Sequence, residues 1–170
     1  EGAVKLLGST LLYGLSSSEQ VEDEEGSIRW LGQHWLGQLD LRVPEIPVKL
    51  DLVEIPGTFE HGLLGENGGM ILFTSSYRSY LQKDTWISER SFQALAFDGV
   101  QAFLLDELTS SGSYYGPKLF DGEFLWLGEV NYSSSDITSE LTVYEWQASG
   151  SFLEHGTERF EGAVYQLGVV

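Results

Sequence analysis

The chain contains no cysteine, which excludes disulfides, thiolate metal sites and cysteine nucleophiles. Basic residues are scarce: Lys and Arg number 9 against 26 Asp and Glu, and the formal net charge is −17. So few cations cannot track a phosphate backbone, and no nucleic-acid partner is expected. An anionic membrane surface would repel the chain for the same reason. Proline is rare, at 4 residues, so long stretches are free to pair. No apolar run approaches the ~18 residues of a membrane-crossing helix, and no membrane span is expected. Sustained helical periodicity is also missing. The chain opens on Glu1 rather than Met, which fits a processed or a trimmed product, a mature exported protein being one such case.

Apolar residues make up 42% of the chain and aromatics 13%. That is the composition of a folded domain rather than a disordered one. Glycine, at 20 residues, is plentiful, and much of it sits in a recurring pattern. An acid is followed by Gly, and Leu comes six positions after the acid. The copies are Glu1-Gly2 with Leu7, Glu25-Gly26 with Leu31, Asp98-Gly99 with Leu104, Asp121-Gly122 with Leu127, and Glu161-Gly162 with Leu167. Acid–Gly is a turn signal, because Gly accepts positive φ and Asp bonds its own backbone two residues on. A strand of period two follows, and a second Gly commonly ends the unit, at Gly8, Gly32, Gly128 and Gly168. A strand glycine marks a bend, a bulge, or a place where a neighbouring aromatic lies over the backbone. The unit therefore reads as turn, strand, bend.

Along the chain, strands are expected at 2–15, 27–43, 48–52, 70–73, 92–108, 123–132, 141–148 and 160–170, with polar turns between most of them. Ser16 to Glu25 reads as a solvated acidic loop, and Thr58 to Gly69 as a glycine-rich turn. Ser75 to Glu89 is the one segment where a helix is expected, around Tyr77, Tyr80 and Leu81. Matched stretches recur about ninety-five residues apart: Glu60-His61-Gly62 with Glu154-His155-Gly156, and Lys49 to Ile55 with Glu140 to Trp146. They imply a duplication, with residues 1–81 repeated as 98–170 and 82–97 as the linker. Four strands with one apolar face cannot hide that face alone. The expected architecture is all-β: one domain over 1–170, closed as an eight-stranded barrel or a two-sheet sandwich.

Few residues offer chemistry. Glu60, His61, Glu154 and His155 would converge on a metal such as zinc if the two halves met about a pseudo-twofold axis. Without a close-spaced ligand pair, however, the expectation is no bound metal and no cofactor. Glu54 and Glu145 are matched mid-strand acids, the best available pair for glycoside hydrolysis, but exposed strand acids are the commoner case. There is no G-x-S-x-G elbow for a serine nucleophile and no EF-hand spacing among Glu22 to Glu25 or at Asp106 and Glu107. Trp30, Trp35, Trp86, Trp126 and Trp146 offer stacking surface. The matched positions of Trp30 and Trp126 favour core packing for those two. Asn131-Tyr132-Ser133 is a glycosylation sequon.

With so little catalytic material, the expected role is non-catalytic. The chain reads as a structural subunit of a surface or extracellular filament, coat or tube, a homo-oligomer that associates through strand edges. The amino-terminal strand carries that role, through Gly2, Val4, Leu6, Leu11 and Tyr13. The alternative is a barrel or sandwich that binds a small apolar ligand or a carbohydrate.

Overall fold

A computed structural model describes residues 3–22, 28–65, 68–82, 85–110, 117–132 and 136–167. They form three antiparallel sheets and, among the described residues, no helix. The amino-terminal sheet holds β1 (Val4–Leu7), β2 (Thr10–Glu22), β3 (Ile28–Asp40), β4 (Val48–Lys49) and β5 (Val53–Ile55). Its order is β1-β2-β3-β4, and β5 also pairs with β3. The central sheet runs β6 (Thr58–Leu64), β7 (Met70–Gln82), β8 (Thr85–Phe97) and β9 (Ala102–Ser110) in chain order. The carboxy-terminal sheet does the same with β10 (Lys118–Phe120), β11 (Phe124–Tyr132), β12 (Ile137–Gln147) and β13 (Ser151–Glu161).

The turns form where acid meets glycine. Gly99, Gly122 and Gly162 all have positive φ, at 99°, 109° and 92°. In two of these turns the aspartate closes the loop in the same way. Asp98 Oδ1 accepts from the Val100 and Gln101 amides at 2.8 and 2.7 Å. Asp121 Oδ1 accepts from the Glu123 and Phe124 amides at 2.9 and 2.8 Å. The first turn leads into β9 and the second into β11. The Glu1-Gly2 and Glu25-Gly26 dipeptides lie outside the described residues.

Several expectations are corrected. Ser75 to Glu89 is not helical: β7 runs through to Gln82, and β8 begins at Thr85. The amino-terminal strand is a hairpin of β1 and β2, reversed at Gly8, whose φ is 59°. The acidic stretch after Leu15 continues β2 as far as Glu22, and Thr58 to Leu64 is a strand rather than a turn. The segment 82–97, expected as a linker, carries β8, which is paired on both sides. Among the described residues no sheet closes on itself, so the barrel alternative does not apply. The sheets also divide the chain in three, not two. His61 sits on the first strand of the central sheet and His155 on the last strand of the carboxy-terminal sheet. Leu50 lies outside any strand, whereas Leu141 is within β12. The physical reason is that acid–Gly marks individual hairpin turns, so its recurrence counts turns rather than domains.

The central sheet is covered on both faces. Side chains alternate along a strand, so Leu72 and Phe73 of β7 point oppositely, as do Ala94 and Leu95 of β8. Leu72, Leu95, Phe97 and Phe59 pack with Leu7, Leu12, Leu36, Val53 and Ile55 of the amino-terminal sheet. Phe73, Phe92 and Ala94 pack with Leu125, and around them lie Phe120, Leu127, Tyr144, Trp146 and Phe152 of the carboxy-terminal sheet. The molecule is thus a three-layer stack with two cores. Glycines allow the layers to approach: a Cβ on Gly14 would lie 3.0 Å from the Phe59 Cβ, and one on Gly62 2.9 Å from Leu7 Cδ1. Buried polar groups within the stack are matched. Gln38 donates to the Gly99 carbonyl at 3.2 Å. Thr74 donates to Gln93 at 3.0 Å, and Gln93 to Glu107 at 2.8 Å.

Candidate functional site

Residues directly opposite in an antiparallel pair share a face, so the register identifies what the amino-terminal sheet shows to the outside. Val4 opposes Tyr13, and Tyr13 opposes Gly37. Leu6 opposes Leu11, and Leu11 opposes Leu39. Leu15 opposes Trp35. None of these belongs to the core shared with the central sheet. They form the outer face, with Val4 62%, Leu6 56% and Leu15 41% exposed. Leu11, Tyr13, Trp35 and Leu39 are half-buried. Tyr13 lies over Gly37, where an added Cβ would fall 2.2 Å from its ring. This is the expected aromatic cover of a strand glycine. Val4, Leu6, Leu11 and Tyr13, singled out from sequence, therefore share one surface, while Gly2 lies outside the described residues. Two opposite charges flank this surface: Lys49 opposes Leu39, and Glu54 opposes Trp35.

The proposed metal quartet is not assembled. His61 lies at the β6 edge, where Nε2 accepts from Lys5 Nζ at 3.2 Å and the ring meets Phe120 edge-on at 5.4 Å. Glu60 binds Lys118 and Ser75 between the central and carboxy-terminal sheets. His155 is at a bulge of β13, on the outer face of the carboxy-terminal sheet, 2.6 Å from Glu145 and 5.9 Å from the Phe124 ring. Glu154 opposes Tyr144. Among the described residues, no group of three or more His, Asp or Glu could hold a metal ion. Glu54 and Glu145 sit on opposite outer faces of the stack, so they cannot flank one glycosidic bond. Trp126 shares an outer face with Phe124, their rings 5.9 Å apart, rather than entering a core. Trp146 does pack in the core.

A second feature escaped the sequence reading. A cavity of about 540 Å³ lies mainly between the central and carboxy-terminal sheets and reaches His34 and Thr58 past the start of β6. More than half of its lining residues carry a hydroxyl. They come from strands of all three sheets, so no local sequence motif marks them. Ser76 and Ser91 hydroxyls are 2.7 Å apart, Lys118 donates to Ser75 at 2.8 Å, and Ser110 bonds Glu129. Arg90 donates to the Gly128 carbonyl at 3.3 Å. Burial, then the nearby Glu154 and Glu129 charges, pushes the Tyr144 phenol up, so it stays a hydroxyl near neutrality.

Two histidines set a pH response. Burial pulls His34 below its ordinary value of 6.5. Burial does the same to His61, the Lys5 charge adds to it, and Asp121 opposes it only partly. Both imidazoles are therefore neutral in the fold where the unfolded chain would already bind a proton. Between the lowered value and 6.5 the unfolded state holds more protons, so stability is complete above 6.5 and declines as pH falls below it. The urea midpoint is expected to drop between about pH 7.5 and about pH 5.5, and a His34→Gln/His61→Gln variant should flatten that slope. A separate loss is expected below 3.8. There Asp98, held down by the Gln101 and Val100 amides, becomes protonated. Asp121 behaves alike: burial raises it, but the Phe124 and Glu123 amides outweigh that and hold it down.

Compared with models of known protein families and with curated proteins, the chain matches none.

Proposed function

We propose that this chain is a non-catalytic assembly subunit that associates with copies of itself through the outer face of the amino-terminal sheet, outside the cell or on its surface. One observation carries the reading. In a chain of net charge −17, the surface from Val4 and Leu6 across Tyr13 to Trp35 and Leu39 is apolar and is flanked by one Lys and one Glu. Copies of so acidic a chain repel one another wherever their acidic residues meet. On this face they do not, and there a two-fold contact would bring Lys49 of one copy to Glu54 of the other. The strand β1 lies at the same place, paired only with β2 among the described residues, so its free edge adds backbone donors and acceptors at the boundary.

The test is the oligomeric state of the intact chain by sedimentation velocity, at high protein concentration and roughly 0.5 M salt to screen repulsion. Concentration-dependent association is expected. Leu6→Glu with Leu15→Glu should leave a folded monomer, because both side chains already face solvent. Leu153→Glu, on the far face, should not. Lys49→Glu should weaken association, and adding Glu54→Lys should restore it. Deleting residues 1–15 would be a poorer probe, since Leu7 and Leu12 belong to the core. A wild-type chain that stays monomeric under these conditions overturns the reading.

A further inference from the structure

The cavity between the central and carboxy-terminal sheets is independent of the outer face used for assembly, and its chemistry is selective. Its lining offers four kinds of polar group: fixed donors at Arg90 and Lys118, a carboxylate acceptor at Glu129, the His34 imidazole, and hydroxyls that both donate and accept. The charges are balanced. Lys118 is bound by Glu60, and burial lowers the Arg90 guanidinium while the nearby Glu129 carboxylate opposes that only in part. An anion entering here would have to displace carboxylates inside a chain already at −17, and a cation would meet Arg90 and Lys118. Neither sign is favoured, so the geometry selects a neutral ligand. That ligand must also be dense in groups that donate and accept, because an apolar molecule would strip water from these polar side chains without replacing its bonds. Tyr77 and Tyr144 add ring surface for a face made of C–H groups. At about 540 Å³ the space lies within the usual range of small-molecule sites, roughly 300–1,000 Å³.

We propose that this cavity is a binding site for a neutral saccharide of one or two units, with Glu129 and Arg90 holding its hydroxyls and the serine and threonine hydroxyls completing the contacts. The proposal is of binding alone, with the Glu60 carboxylate held by Lys118 and that of Glu129 by Ser110.

The test uses the full-length chain and a defined panel: glucose, galactose, mannose, maltose, cellobiose and lactose, with inorganic phosphate and glucose 6-phosphate beside them. Binding is followed by backbone amide shifts. The expected result is saturable shifts for at least one neutral sugar, centred on residues 90–92 and 127–129. Glu129→Gln should weaken that binding roughly tenfold or more, since it removes a charge-assisted bond. If that variant does not fold, Ser110→Ala, which frees one Glu129 oxygen, should still change the affinity. Binding of phosphate or the sugar phosphate in preference to neutral sugars would overturn the proposal. So would shifts elsewhere on the molecule, shifts indifferent to Glu129 and Ser110, or no shifts with any neutral sugar. The Leu6→Glu/Leu15→Glu monomer should bind the same sugar equally well, so failure of assembly and failure of this site are read separately.

Discussion

Replacing Phe73 with alanine is expected to cost about 3–5 kcal/mol, the usual range for deleting a buried phenylalanine. Phe73 is 0% exposed and lies where the central sheet meets the carboxy-terminal one. Its ring is 4.3 Å from Phe120, 5.2 Å from Trp146, and 6.1 Å from both Phe92 and Phe152, centre to centre. Those partners come from β8, β10, β12 and β13, and none can move into the gap without leaving its own strand. The void therefore stays open, which puts the cost toward the upper end. At roughly 2–4 °C per kcal/mol for a chain of this size, melting should fall by roughly 10 °C or more. Urea unfolding with an unchanged slope would confirm that the loss is in stability rather than in unfolded-state compactness. The matched control is Phe103→Ala, which removes the same atoms from a side chain 52% exposed and should cost less than about 1 kcal/mol. Equal losses from the two would mean the two cores do not carry the fold.

Gly57→Ala should be nearly as damaging although it adds a single methyl. The new Cβ would lie 2.4 Å from the Ser75 carbonyl oxygen, 2.7 Å from its carbon and 3.1 Å from the Ser76 nitrogen. All three are backbone atoms of β7, so nothing flexible can yield. β6 must shift away from β7 just where Thr58 opposes Ser75. Overpacking of this kind typically costs about 1–3 kcal/mol and occasionally more. Gly37→Ala offers the contrast. Its Cβ clashes even more closely, 2.2 Å from the Tyr13 ring, but a ring on a half-exposed face can turn aside. Thermal melts of the two variants should separate, with Gly57→Ala the lower. If Gly37→Ala proves worse, the cover of Gly37 by Tyr13 contributes more to stability than the β6–β7 register does.

Which features could be read from the sequence depended on how local their causes are. The acid–Gly turns were legible because Asp98 and Asp121 act on amides two and three residues away. The common face of Val4, Leu6, Leu11 and Tyr13 was not: read as one strand, 2–15 puts Val4 and Leu6 on the face opposite Leu11 and Tyr13, and only the hairpin at Gly8 brings them together. The stretch Ser75 to Glu89 was misread for two reasons. It contains no glycine or proline to signal the chain reversal between β7 and β8, and Tyr77, Tyr80 and Leu81 fall at a spacing that imitates a helix face. The count of sheets was hidden as well. A sheet buried on both sides loses its alternation, as at Ile71-Leu72-Phe73, and such a run does not say how many layers it separates. The matched Glu-His-Gly triplets misled most. Identical neighbours put His61 at an edge between layers and His155 at a bulge on an outer surface, because strand partners, not triplets, decide where a side chain ends up. The cavity was invisible from the start, since its hydroxyls are gathered from distant strands.

Within each sheet nearly every strand pairs with its neighbour in the sequence, and each sheet follows the last along the chain. A structure organised this way is close to one-dimensional. Its two ends are interchangeable in kind, since each is a meander covered on one side only. A gene encoding it could gain or lose one meander without rerouting the others. A longer relative built on this plan would be a taller stack with another central sheet, its new cores copied from the two seen here.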